Sequence, residues 1–353
     1  MSPRPKVLVA LASTPALLAA CQPNLDDTVS IVSSPTLLAI SADPPEAPPA
    51  SDVTYTALLA PGGADAAAPA LVWDYCSARN PLSNLGPVNN LCIQPGSSSL
   101  SRFGVGTGAS GDIPMLACSS FGPNAPAGVD GGPGGQPVSP DFTGGYYQPV
   151  SAFLPRKGAA TASVYFMRIA CGFAGADEAA QGTLTARYHP NHNPAVGSLA
   201  ANGMTLVPMG ASGSEATSAS PGARLALTVS WPTCPLVDVC GDDVCGADES
   251  ATTCPVDCAP PKGPKGCAGA ERYVNLDLAT QTVVDQREGI DVAWYATGGA
   301  FELDRTGREG TDDATTSDNG WTAPQAPAAI TMWVIVRDDR GGVGWADYAI
   351  RVR

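Results

Sequence analysis

Histidine is almost absent: His189 and His192 are the only two in 353 residues. A Ser–His–acid triad needs an imidazole to carry its proton, so any such site must draw on one of them. Both lie in His189-Pro190-Asn191-His192-Asn193-Pro194. Their i, i+3 spacing would suit a metal on a helix, but the two prolines bar a helix there. The segment reads as a stiff connector with incidental histidines. The sequence contains no G-x-S-x-G elbow, no phosphate-binding G-x-x-x-x-G-K-[ST] loop and no H-E-x-x-H pair. Gly106-Thr107-Gly108-Ala109-Ser110-Gly111 matches G-x-G-x-x-G, but Asp112-Ile113-Pro114 follows where a helix should run, which makes it noise. Basic residues are also scarce, 19 against 33 acidic, for a net charge of −14. Such a balance repels phosphate backbones and anionic headgroups and excludes nucleic acid as a partner. Charged residues make up 15% and aromatics 6% of the chain. Long helices are therefore poorly supported, while 39 glycines and 34 prolines favour turn-rich β structure. No apolar run approaches the roughly 20 residues a membrane-spanning helix needs.

What is present begins at the N-terminus. Arg4 and Lys6 precede the apolar stretch Val7 to Ala12, and Leu17-Leu18-Ala19-Ala20 leads into Cys21. This is the tripartite form of a cleavable export signal, residues 1–20. Leu18-Ala19-Ala20-Cys21 resembles the lipobox of bacterial lipoproteins. That resemblance implies a diacylglycerol on the Cys21 thiol, cleavage just before it, and a lipid bilayer as the first partner. Two or three acyl chains, at about 0.8 kcal/mol per buried methylene, anchor a protein almost permanently. Gln22, rather than Asp, follows the cysteine, which in enteric bacteria permits transfer to the outer membrane. Residues 21–30 then read as a lipidated tether.

Eleven cysteines occur. With Cys21 lipidated, ten remain in an oxidising compartment: Cys76, Cys92, Cys118, Cys171, Cys234, Cys240, Cys245, Cys254, Cys258 and Cys267. An even number fits five disulfides and no leftover thiol.

Short β-type runs recur between turn clusters: Val53 to Leu59, Leu71 to Trp73, Ser163 to Ile169, Thr183 to Tyr188, Arg224 to Trp231, Arg272 to Leu276, Ile290 to Tyr295, Ile330 to Val336 and Trp345 to Val352. Leu225, Leu227, Val229 and Trp231 share one face, as do Ile330, Met332, Val334 and Val336. Alternation with period two predicts sheets with one buried side, and strands at this spacing without helices between them predict sandwiches. The expected fold is all-β: a first β-sandwich over 31–190, and a second over 192–353 that contains a Cys-rich insert at 234–267. Gly122 to Gly145 reads as an exposed Gly/Pro loop of the first domain.

Ile290-Asp291-Val292-Ala293-Trp294-Tyr295-Ala296-Thr297-Gly298-Gly299 resembles the central strand and turn of bacterial Ig-like or PKD-type modules. Val334 to Gly342 resembles their penultimate strand and hairpin, and Trp345 to Val352 their last strand. The first half is similar more weakly, through Leu38-Ala39-Ile40, Pro44-Pro45, Val53 to Leu59 and Trp73. The whole resembles surface lipoproteins of myxobacteria, which implies fold more than activity.

The insert CGDDVCGADESATTCPVDC, residues 240–258, resembles a short disulfide module of secreted bacterial proteins, with Cys234 and Cys267 bracketing it. The expectation is a loop between two strands, closed at its base by Cys234–Cys267. Three roles stay open. The insert could be a structural staple, each disulfide contributing about 2–4 kcal/mol. It could be a calcium site built from Asp242, Asp243, Asp248, Glu249 and Asp257. The third role is a zinc site on its cysteines, which an oxidising compartment disfavours.

Glycoside hydrolysis needs only two carboxylates, yet no pair stands out. Asp304, Glu309, Asp312, Asp313 and Asp318 read as a solvated loop. Trp73, Trp231, Trp294, Trp321, Trp333 and Trp345 could stack on sugars, with Trp294 placed in a core first. The sequence therefore points to a non-catalytic, lipid-anchored envelope protein for binding, adhesion or architecture. The Gly/Pro loop and the insert are its expected contact surfaces, toward a protein or glycan. The alternative is a carbohydrate-binding or hydrolytic accessory lipoprotein.

Overall fold

A computed structural model describes residues 29–61, 69–80, 87–123, 143–156, 158–212, 216–235, 239–241, 244–246, 248–259 and 266–353. The expected export signal (1–20), Cys21 and most of the expected tether lie outside these residues, as do 124–142 of the Gly/Pro loop.

The first half carries β1 (Thr36–Asp43), β2 (Glu46–Ala47), β3 (Asp52–Ala60), β4 (Leu71–Cys76), β5 (Leu100–Gly106) and β6 (Gly108–Asp112). Helix α1 (Ala117–Phe121), β7 (Gly145–Arg156) and β8 (Ala159–Ala170) complete it. One sheet has the order β1-β3-β6, the other β2-β8-β7-β4-β5. Val53 and Tyr55 of β3 face inward between exposed Asp52, Thr54 and Thr56, the alternation that buries one face of a sheet. They pack with Ile40, Leu71, Trp73, Val150, Leu154, Met167 and Ile169 from the two sheets to form the first core.

Helix α2 (Glu178–Arg187) follows, then β9 (Ser198–Ala201), β10 (Met204–Thr205), β11 (Thr217–Ala219), β12 (Arg224–Ser230) and the short helix α3 (Pro255–Cys258). The last strands are β13 (Arg272–Asp277), β14 (Thr282–Arg287), β15 (Ile290–Ala296), β16 (Ala300–Phe301), β17 (Arg305–Arg308), β18 (Thr316–Thr322), β19 (Ala328–Asp338) and β20 (Val343–Val352). Sheets β10-β9-β12-β18-β16 and β11-β20-β19-β15-β17 form a second sandwich, with β13-β14 as a separate hairpin. Leu225, Leu227 and Val229 meet Val292, Trp294, Met332, Val334 and Tyr348 across it. The chain is thus mostly β, with antiparallel pairing predominating.

Three sequence expectations are corrected. Thr183 to Tyr188, read as a strand, belongs almost entirely to helix α2, because Asp177 caps its N-terminus by accepting from the Ala180 N–H at 2.8 Å. The β-branched Thr183 and Thr185 are tolerated because their hydroxyls donate to the Ala179 and Gln181 carbonyls one turn back. Secondly, β19 is buried on both sides, from Met332 through Val336. Its second face, with Trp333 and Ile335, packs with Ala293 and Val343 against Val32, Leu38, Ala39 and Ala60 of the first half. Thirdly, the end of the supposed exposed loop is interior: Thr143 is fully buried and Gly144 and Gly145 are buried.

The two sandwiches are joined at several further places. The buried side chains Ala180 and Leu184 of α2 pack on Val274 and Leu276 of the β13-β14 hairpin. Ser30, at the end of the tether, is buried and donates to Asp304, and Ile31 bridges Ala296 of the second sandwich. Asn193 fastens β1 to β20, donating to Ala42 O at 2.6 Å and accepting from Val343 N at 2.8 Å.

Candidate functional site

All ten cysteines beyond Cys21 are paired: Cys76–Cys92 and Cys118–Cys171 in the first half, and Cys234–Cys267, Cys240–Cys254 and Cys245–Cys258 in the insert. Cys234–Cys267 closes the insert at its base, and two interleaved disulfides staple its interior. Thiols in disulfides cannot serve as zinc thiolates. Asp242 and Asp243 lie outside the described residues. Glu249 is buried and accepts from Gly246 N at 3.1 Å, while the fully buried Asp257 accepts from Gly241 N at 2.5 Å. These carboxylates satisfy backbone donors of a loop too small to pair them in a sheet. Asp248 belongs elsewhere, 2.6 Å from Arg187 of α2, so the insert rests on the end of that helix.

The densest chemistry lies at the junction of the sandwiches. Glu46, three residues past β1, is buried, ion-paired with Arg168 Nε of β8 at 2.9 Å, and accepts from Arg340 Nη2 at 3.4 Å and Asn191 N at 3.0 Å. The Tyr188 hydroxyl donates to its other oxygen. Burial opposes the charge on Glu46, but Arg168, Arg340, Tyr188 and Asn191 more than offset it and hold the carboxyl below its ordinary value. Arg168 also donates to Thr143 at 2.5 Å and to Tyr188 at 3.1 Å. Its guanidinium lies over Gly145, where an added Cβ would come within 2.3 Å of Cζ. Gly145→Ala should therefore cost about 1–3 kcal/mol through overpacking, although alanine normally suits a strand better. A denaturant midpoint unchanged by that substitution would show that the guanidinium is free to move aside.

Arg340, in the β19-β20 turn, is the hub on the other side. It lies 3.4 Å from Glu288, 3.9 Å from Glu271 and under the rings of Tyr188 and Tyr273, and it donates to His189 O at 3.0 Å. Burial works against its charge, but Tyr188, Glu288, Glu46 and Glu271 around it raise its pKa well above the ordinary arginine value. Burial, with like charge from Asp338 and Glu271, pushes Glu288 well above the ordinary carboxylate range despite Arg340. Three carboxylates, Glu46, Glu271 and Glu288, thus share two buried guanidiniums. The arrangement can hold elements in place. Most of its acids and bases face one another, while His189 Nε2 and Glu271 Oε2 are buried without a hydrogen-bond partner.

The connector from His189 to Pro194 runs through this junction, which corrects its reading as a linker with incidental histidines. His189 and Asn191 are buried, and Asn191 donates to both oxygens of Asp338 at 3.2 and 3.3 Å. Asn191 donates to Glu46 and Asp338 on either side, and Asn193 both donates to Ala42 and accepts from Val343. Glu46, Arg168, Glu271, Glu288 and Arg340 were missed altogether.

Asp338 provides a pH test. Burial raises its pKa to about 6, although Gly342 N–H, Arg340 and Asn191 all favour the charged form. A carboxyl raised on folding binds its proton more tightly in the native state, so its contribution to stability falls as pH rises from about 4 to about 6. Asp338→Asn should therefore gain stability relative to the parent over that range, by about 3 kcal/mol in all. Paired urea titrations at pH 4 and pH 7 would check the sign, and a loss relative to the parent at pH 7 would contradict it.

The six tryptophans offer no exposed stacking platform. Trp73, Trp231, Trp294, Trp321 and Trp333 are buried, and Trp345 is half-buried at the joint between sandwiches. Among the described residues, no helix is long and apolar enough to cross a membrane.

No family model matches the chain, and no curated protein matches it. Among solved structures it is similar to dimeric latent PorU from Porphyromonas gingivalis at 12% identity, over 92% of this chain and 24% of that one, with a TM-score of 0.19. It is likewise similar to trypsin-activated alpha-2-macroglobulin from Escherichia coli at 10% identity, over 91% of this chain and 18% of that one, also with a TM-score of 0.19. The chain spans about a quarter of the first protein and under a fifth of the second, and a likeness at these scores carries no argument about function.

Proposed function

We propose that this chain is a lipid-anchored, non-catalytic protein of the bacterial cell envelope, held to the membrane through Cys21, with the outer membrane as its site. Its two sandwiches act as one stiff body that carries a binding or architectural surface. The observation that supports this reading most is the fate of the cysteines. Ten of eleven pair within the fold, and the remaining one is the lipobox cysteine. The stiffness rests on the buried junction and on the tether end docking at Asp304 and Ala296. Exported bacterial proteins meet oxidising conditions in which such disulfides persist.

The alternative of a carbohydrate-binding or hydrolytic accessory protein finds less support, since sugar stacking needs exposed aromatic faces and the tryptophans are spent on the cores and the joint. Mass spectrometry of the mature protein from its membrane fraction tests the proposal. A diacylglyceryl thioether on an N-terminal Cys21 is expected. An unmodified Cys21, or a mature start elsewhere, would overturn it.

A further inference from the structure

His189, His192 and Glu271 converge from two separate parts of the chain: one ligand atom from each lies within 4.8 Å of the others. The His189 Nδ1 faces the Pro190 carbonyl at 3.4 Å, which leaves Nε2 as the ring's lone-pair nitrogen. That Nε2 is buried and has no hydrogen-bond partner. His192 presents Nδ1 to Glu271 Oε1 at 3.3 Å. Oε1 also accepts the Cys267 N–H at 2.6 Å, while Oε2 has no hydrogen-bond partner and lies 3.9 Å from Arg340 Nη1. Both His189 and Glu271 are more than nine-tenths buried.

Leaving a buried imidazole nitrogen and a carboxylate oxygen unsatisfied is costly in an apolar site. A cation placed between them satisfies both. We infer that His189, His192 and Glu271 form a divalent transition-metal site, with zinc the best match, that pins the connector between the sandwiches to the foot of the disulfide insert.

Two imidazoles and one carboxylate are a donor set that zinc accepts, with a water in the fourth tetrahedral position. A cavity of about 20 Å³ lies beside His189 and Glu271, walled by Cys234, Val244 and Cys267. That is room for one water and none for a substrate, so the metal's role is structural. The backbone hydrogen bond of His189 is the outer-shell contact that commonly fixes the tautomer of a ligating histidine. His192, with its side chain 30% exposed, gives the ion a way in. Cys234–Cys267 fixes the strand ends next to Glu271 and so holds the third ligand in register.

The chain has only two histidines, which makes the test direct. The oxidised full chain, freed of metal with chelator, is titrated with Zn²⁺ by calorimetry and followed by nitrogen-15 NMR of the histidine rings. One equivalent should bind, and both rings should shift together. Co²⁺ should give the visible d–d absorption of a four-coordinate site. His192→Ala, at a partly exposed position, should weaken binding by at least about tenfold while the metal-free unfolding midpoint stays near the parent's. Should that variant fold poorly, the ring shifts of the unaltered chain still decide. Absence of zinc binding, or binding that moves neither ring or only one, would overturn the assignment. Binding left unchanged in His192→Ala would place the ion elsewhere and overturn it equally.

Discussion

Arg340→Met should destabilise the protein by about 3–5 kcal/mol, the usual cost of breaking a buried ion pair by removing one partner. The substitution keeps the volume and the apolar stem but removes the one guanidinium that Glu46, Glu271 and Glu288 all face. Glu46 would keep Arg168. Glu271 and Glu288 would lose the cation that offsets their burial, and His189 O would lose its donor. Glu288→Gln should behave differently. Its carboxyl is already pushed well above the ordinary range, so neutralising it should change stability by less than about 1 kcal/mol. Denaturant titrations with the disulfides intact measure both, and a cost below about 1 kcal/mol for Arg340→Met would mean that the junction contributes specificity rather than stability.

Trp333→Ala should cost about 3–5 kcal/mol as well, the range for emptying a buried tryptophan site, but through apolar packing. Trp333 leaves the core of its own sandwich and fills the joint among Val32, Leu38, Ala39 and Ala60. The loss therefore falls on the attachment between the sandwiches rather than on either core. Scanning calorimetry of this variant should resolve two transitions where the parent gives one. A single transition with an unchanged midpoint would assign the joint's strength to the ionic junction alone.

Much of the fold was legible because alternation is local. Leu225, Leu227 and Val229 announce their strand, and the bracketing of the insert by Cys234 and Cys267 announces its closure. Strand β7 was missed because Pro149 and Pro155 argue against a strand, yet Pro149 is accommodated opposite Phe166 within a long antiparallel pair. Strand β18 was read as part of an acidic loop because Ser317, Asp318 and Asn319 are polar. Asn319 is tolerated indoors because it exchanges hydrogen bonds with Leu303 N and O.

The junction was illegible for a different reason. Glu46 and Arg340 are 294 positions apart, and a lone charge in a sequence is by default a surface residue. Nothing local reveals that five such charges meet. The one available hint was the His189 to Pro194 segment, whose scarce histidines and paired asparagines suit a place where donors and acceptors must be matched on all sides.

The buried junction and the apolar joint should make the two sandwiches behave as one body. Calorimetry of the unaltered chain, with disulfides intact and at neutral pH, measures that most directly. One transition, with the calorimetric enthalpy equal to the van't Hoff enthalpy, is the expected result. Two separable transitions, one for each sandwich, would contradict it.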